Sequence, residues 1–204
     1  MTTVPDSRLQ RLQRLADGIF MLSMVLMVLQ FDLPNPSQTL NNRELWRYLQ
    51  QQLPTLWIYL GTYVLIVFYW LSHLNQFKHN QKTNAIHIWL TLLSLMFVVL
   101  LPYANDLTTQ YPLNFPVQVF YSLVLFSVGL FSLLSWLYGS YKSQLIVSDV
   151  SQAEIQAITI DSLLEPLFCL LSIPVTFWNP ALWEWTFWLL IPAYLWLESQ
   201  DQSA

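Results

Sequence analysis

The chain has 204 residues, of which 55% are hydrophobic and only 10% are charged. Because a soluble domain ordinarily devotes about a quarter of its residues to charged side chains, this composition excludes an ordinary soluble domain and indicates that lipid is the main solvent. The formal net charge of −4 excludes a strongly basic surface, so no nucleic-acid partner is expected.

Several stretches are long and apolar enough to cross the hydrocarbon core of a bilayer, which takes about 20 helical residues. We predict spanning helices at residues 12–33, 54–77, 84–103, 117–141, 158–177 and 181–197. These six helices would form a single all-α, polytopic membrane domain over residues 1–204. The first is too long for the apolar region of a signal peptide and contains Asp17, so we expect it to stay in the mature protein.

The segments between the predicted helices are polar. A polar linker follows the first helix, and residues 105–116 form a predicted loop after the third. Residues 143–156 are expected to form an amphipathic connector on the membrane surface. The fifth helix begins with Asp161 and Glu165, which we expect to be hydrated at the edge of the membrane.

Lys and Arg side chains predict the orientation of the chain, because cytoplasmic loops are enriched in them. With the N-terminus inside, the cytoplasmic segments carry six of them: Arg8, Arg11, Arg14, Lys78, Lys82 and Lys142. The outer segments carry only Arg43 and Arg47. We therefore expect a multi-pass protein of the cell membrane with both termini in the cytoplasm.

Catalytic and metal-binding patterns are missing from the sequence. It contains no HExxH, GxSxG or P-loop motif, and its three histidines fall near the ends of predicted helices. The single cysteine, Cys169, lies in an apolar run and has no partner for a CxxC pair. We expect neither enzymatic activity nor a bound metal or cofactor, and we interpret Cys169 as a packing residue.

Asp17 is the first candidate functional residue, because an ionisable side chain in a spanning helix is costly unless it is paired or hydrated. Arg11 and Arg14 are near enough in sequence to pair with it; alternatively, all three side chains lie among the lipid headgroups. Further along, Leu22, Leu26 and Leu29 are spaced i, i+4, i+7 and share one face of the helix. By spacing alone, packing or lipid contact explains this stripe better than a pore does.

The segment 11–18, with the sequence RLQRLADG, resembles the RxxxFSD signature that opens the first helix of the transmembrane protein 175 family of lysosomal potassium channels and their prokaryotic relatives. Arg11 and Asp17 occupy the Arg and Asp positions, whereas Leu15 and Ala16 replace the Phe and Ser. Two further segments are similar to family patterns: residues 70–73 resemble W-x-x-H, and residues 101–103 resemble an LPF-type helix ending.

The resemblance implies a single six-helix unit in each chain, four of which form a homotetramer around a pore lined by the first helices. It places the pore constriction at Leu22, Leu26 and Leu29. Val25, which also can line the pore, stands where many family members have a threonine. Permeant ions would be K⁺, with Rb⁺ and Cs⁺.

The resemblance also implies that Arg11, Asp17 and His73 form a polar network that holds the first helix. The leading hypothesis is thus a potassium-permeable leak channel with a hydrophobic constriction. A proton-coupled transporter that uses Asp17, His73, Asp161 and Glu165 is one alternative, and a non-transporting membrane scaffold is another. The transporter is disfavoured because we find no internal repeat in the sequence.

Overall fold

A computed structural model describes residues 7–34, 40–142, 145–189 and 192 of the chain. The described part is helical and contains no β-strand; its one β-type contact is an isolated antiparallel bridge between Asn80 and Ile146. Five of its helices are long and apolar enough to cross a membrane. This architecture confirms the prediction of an all-α membrane protein.

The helices follow one another with short connections. In chain order they are α1 Ser7–Leu26, a 3-10 turn Met27–Gln30, α2 Asn42–Gln51, α3 Leu53–His79, α4 Ala85–Gln110, α5 Phe115–Leu137, a π-helical turn Tyr138–Lys142, α6 Gln152–Trp178, a 3-10 turn Pro180–Leu182 and α7 Trp183–Trp188. The five candidate spans are α1 with its 3-10 turn, α3, α4, α5 with its π turn, and α6.

The sixth predicted helix, at residues 181–197, starts differently from the expectation. Its described part is the 3-10 turn Pro180–Leu182 followed by the six-residue helix α7. Asn179 marks the break, because its side chain accepts a 3.0 Å hydrogen bond from the backbone N–H of Ala181. The second half of the predicted span lies outside the described residues, apart from Pro192.

The predicted loop at residues 105–116 is helical over its first half, so that boundary was wrong. α4 passes through Pro102 and continues to Gln110. Its last turns are buried, with Asn105 at 0% and Thr108 at 1% exposure. Tertiary burial thus keeps the chain helical where the polar composition suggested a loop. α6 likewise begins at Gln152, inside the predicted connector.

The core forms where α5 packs between α4 and α6, while α1 packs against α4 and α3. Gly129 permits the close approach of α5 and α6, because a Cβ atom at this position would lie 2.8 Å from Cδ of Pro166. Beyond the end of α3, the backbone N–H of Val147 donates a 3.0 Å hydrogen bond to the carbonyl of His79. This contact holds the connector between α5 and α6 against the bundle.

Candidate functional site

Helix α1 has one face that packs inside the chain. Its buried residues recur every three or four positions, which is the period of a single helical face; they are Leu9, Leu12, Ala16, Phe20 and Ser23, followed by Met27 in the 3-10 turn. Ala16, Phe20 and Met27 belong to the main hydrophobic core. The chain therefore fixes the rotation of α1 about its own axis.

The opposite face of α1 is left open by the chain, and it is apolar. Leu22 is 54% exposed, Val25 is 60% exposed and Leu29 is 75% exposed. Gly18 continues this strip towards the N-terminus, where an added Cβ would have no neighbour within 4 Å. Leu26 is partly buried, at the edge of the strip. We call Gly18, Leu22, Val25 and Leu29 the open strip of α1.

Asp17 is held by α3. The indole Nε1 of Trp70 donates a hydrogen bond of 3.0 Å to Oδ1 of Asp17. Arg11 and Arg14 are both exposed. Within the described part of the chain, no hydrogen bond or ion pair joins Arg11 to Asp17. The W-x-x-H pattern contains Trp70 but predicts no contact between Trp70 and Asp17.

His73 lies one helical turn beyond Trp70 on α3 and is buried, at 6% exposure. Its ring packs between aromatic neighbours, with centroid distances of 5.7 Å to Phe20 and 4.1 Å to Phe77. Its Nε2 atom is buried without a hydrogen-bond partner among the residues that the structure describes. Like Trp70, His73 thus touches the buried side of α1, but it does so through Phe20 and makes no hydrogen bond to Asp17.

A second polar cluster, which no pattern in the sequence predicts, lies at the other end of α1. Asn105 is fully buried; its amide Nδ2 donates to Oε1 of Gln30, and its Oδ1 accepts from the hydroxyl of Thr62. Thr62 also shares a 2.5 Å hydrogen bond with the hydroxyl of Tyr121. Thr109 completes the cluster through a 3.4 Å bond to Gln30. These residues come from four separate segments, so no sequence spacing connects them.

Glu165 is buried, at 2% exposure, so the expectation of a hydrated carboxylate was wrong at this position. The cause is the adjacent Pro166, which packs against Gly129 and draws this turn of α6 into the contact with α5. Asp161, one turn earlier, is partly buried. Cys169 is fully buried near the hydroxyl of Tyr69, as expected for a packing residue.

The comparisons with known proteins all find similarity to potassium channels. Residues 11–102 match the family model described as endosomal/lysosomal potassium channel TMEM175. A curated potassium channel of Chryseobacterium sp. (strain P1-3) is 28% identical over 96 residues, which are 47% of this chain and 46% of that protein. A curated potassium channel of Streptomyces collinus (strain DSM 40733 / Tue 365) is 25% identical over 131 residues, 62% of either chain. The chain therefore spans less than two thirds of each of these relatives.

Two solved structures share the fold. One is the crystal structure of a lysosomal potassium-selective channel TMEM175 homolog from Chamaesiphon Minutus, with a TM-score of 0.79 over 96% of this chain and 98% of that one. The other is a variant of the potassium channel MtTMEM175 in complex with a nanobody–MBP fusion protein, with a TM-score of 0.64 over 100% of this chain and 96% of that one. Both are 18% identical to this chain, so the similarity establishes the fold alone.

The family match covers α1, α2, α3 and most of α4, including the RxxxFSD-like segment at residues 11–18 and the W-x-x-H pattern at residues 70–73. It confirms the resemblance that these segments carry. Over residues 11–102, the chain is similar to the TMEM175 family.

Proposed function

We propose that the chain is one subunit of a potassium-permeable leak channel, in which the first helices of four copies line a central pore. The observation that carries this proposal is the open strip of α1, which is apolar and uncovered while the opposite face of the same helix is packed in the core. In this arrangement the protein resides in the cell membrane, has both termini in the cytoplasm and contains six spanning helices in each copy.

The strip has properties that suit a hydrophobic constriction. A ring of four leucines offers no ligand to an ion, so it closes by dewetting when it is narrow and conducts when it dilates. Leu22 and Leu29 lie seven residues apart, nearly two helical turns, and are the strongest candidates for successive rings. Leu26 lies at the edge of the strip and would enter the pore after a small rotation of the helix.

Selectivity in such a pore depends on its width and on the cost of removing water from the ion. The sequence contains no TVGYG-like segment that could supply a filter of backbone carbonyls. We therefore expect K⁺, Rb⁺ and Cs⁺ to pass more readily than Na⁺, with modest discrimination. The two curated relatives and the two solved structures are all potassium channels, which supports potassium as the permeant ion.

The proposal is tested by ion flux from liposomes loaded with K⁺, Rb⁺, Cs⁺ or Na⁺. The wild-type chain is compared with Leu22→Ala, Leu26→Ala and Leu29→Ala. Leu171→Ala is the matched control, because Leu171 on α6 is 53% exposed, close to the 54% of Leu22. It separates a pore residue from a leucine that is merely exposed on the outside of the bundle.

A channel with this pore gives K⁺ flux in the wild type, a higher flux in Leu22→Ala and Leu29→Ala because the constriction is wider, and no change in Leu171→Ala. Absence of ion flux from folded protein in every variant would contradict the channel proposal and favour the non-transporting membrane scaffold. The transporter alternative also has support, because Glu165, one of its proton-relay residues, is buried. Potassium movement that requires a proton gradient and is lost in Glu165→Gln would support the transporter instead.

A further inference from the structure

Helix α2 is an amphipathic helix with no buried residue. Its apolar side chains lie on one side: Leu45 is 43% exposed, Trp46 is 65% exposed and Leu49 is 49% exposed. Arg43 and Arg47 are spaced i, i+4 on the polar side and are exposed as well. We call Leu45, Trp46 and Leu49 the apolar face of α2, and nothing in the described part of the chain covers it.

The predicted polar linker after the first helix contains α2, and the N-terminus of α2 has a capping box. The side chain of Asn41 accepts hydrogen bonds of 3.0 Å from the backbone N–H groups of Arg43 and Glu44. In return, Glu44 Oε2 accepts a 2.9 Å bond from the N–H of Asn41. This capping box satisfies donors that a helix otherwise leaves unpaired. α2 therefore has its own N-terminal stabilisation and does not depend on burial in the bundle.

The position of α2 relative to the membrane follows from its two connections. Only Gln52 separates the end of α2 from the start of α3, which is a spanning helix. The hydroxyl of Tyr48 donates a hydrogen bond to the carbonyl of Asp32, just beyond the end of α1. Because both neighbours cross the membrane, α2 is confined to the level at which they emerge from it.

We propose that α2 lies flat in the headgroup layer of the bilayer. Its apolar face would enter the boundary between headgroups and acyl chains, as amphipathic interfacial helices do. Trp46 suits this depth, because indole rings concentrate where a membrane meets water. Arg43 and Arg47 would bind lipid phosphate groups. The inference does not rest on the channel proposal, since it requires only that α1 and α3 span.

The bilayer fits α2 better than a second copy of the chain does. The two guanidinium groups complement lipid phosphates, which every phospholipid headgroup supplies. A contact between two copies through the apolar face of α2 would leave Arg43 and Arg47 on the outside of that contact, so it would make no use of their charge. A hydrated helix would leave Leu45, Trp46 and Leu49 in water, which costs free energy in proportion to their apolar area.

The test is the depth of spin labels attached to single cysteines in lipid vesicles, in a Cys169→Ala background. Leu45→Cys and Leu49→Cys place labels on the apolar face, and Gln51→Cys is the matched control on the opposite side of the same helix. Oxygen dissolves in the acyl region, whereas a nickel chelate stays in water. We expect oxygen to relax the labels at positions 45 and 49 and nickel to relax the label at position 51.

Two results would overturn the inference. Nickel relaxing the labels at positions 45 and 49 as strongly as the label at position 51 would mean that α2 is hydrated. Exclusion of both reagents from positions 45 and 49, with dipolar broadening between labels, would mean that another copy covers the apolar face. Because these side chains are exposed, none of the labels should disturb folding. Ion flux is not a readout here, so the result is independent of the channel test.

Discussion

The indole N–H of Trp70 donates its hydrogen bond to the carboxylate of Asp17, and this 3.0 Å contact joins α1 to α3. Breaking this contact would leave two polar groups of spanning helices without each other, which is costly in a membrane. It is made on the side of α1 away from the open strip. Trp70 is therefore positioned to hold the candidate pore helix without entering the candidate pore.

We expect Trp70→Phe to lower the stability of the protein by about 0.5–1.5 kcal/mol, the usual net contribution of one intramolecular hydrogen bond. The measurement is thermal unfolding in detergent. Part of any loss comes from the smaller ring, so the same substitution is made in an Asp17→Leu background. A loss that is equally large in that background would mean that the hydrogen bond contributes nothing. Trp178→Phe, at a residue that is 85% exposed, is the control.

We expect Asn105→Leu to loosen the 3-10 turn Met27–Gln30, because it removes both the donor to Gln30 and the acceptor of the Thr62 hydroxyl. Gln30 keeps its contact with Thr109 and Thr62 keeps its contact with Tyr121, so the expected cost is that of the two lost hydrogen bonds, about 0.5–1.5 kcal/mol each. The measurement is thermal unfolding together with hydrogen exchange of the amides at the end of α1. Gln110→Leu on the exposed end of the same helix is the control. Unchanged exchange at the end of α1 would contradict the role assigned to Asn105.

We expect Gly129→Ala to destabilise the bundle, because the added Cβ would lie 2.8 Å from Cδ and 3.1 Å from N of Pro166. Neither atom can move without shifting α5 from α6. Gly61→Ala is the matched control, since its Cβ would meet Trp188 at an ordinary 3.5 Å. In a helix, Gly→Ala otherwise stabilises by up to about 1 kcal/mol. A rise in melting temperature for both variants would show that the α5–α6 contact yields easily.

We expect Val25→Thr to raise the selectivity for K⁺ over Na⁺ if the open strip lines the pore. Val25 is 60% exposed on this strip, and a hydroxyl there can coordinate a partly dehydrated ion. Threonine matches valine in shape, so the fold should be unaffected. The measurement is the ratio of K⁺ to Na⁺ flux in liposomes, with Val99→Thr on the outer side of α4 as the control. Equal changes in both variants would argue against Val25 facing the ion path.

The sequence by itself determined the membrane character of the protein, its helical class and the approximate positions of its spanning helices. These features follow from local hydropathy, because an apolar stretch of about 20 residues can cross the bilayer as a helix regardless of which helices pack against it. The segments 11–18 and 70–73 also carry the resemblance to the TMEM175 family, whose model matches residues 11–102. The spacing of Leu22 and Leu29 was visible too, but spacing in an apolar helix does not tell a pore from lipid.

Only the tertiary structure decided which face of α1 is open, because every face of that helix is apolar and rotation is set by packing against α3 and α4. The partner of Asp17 was decided in the same way: the resemblance pointed to His73, yet Trp70 makes the bond. The cluster of Asn105, Gln30 and Thr62 joins residues far apart in the chain. Such contacts depend on how helices are brought together, and a local pattern in the sequence contains no information about that arrangement.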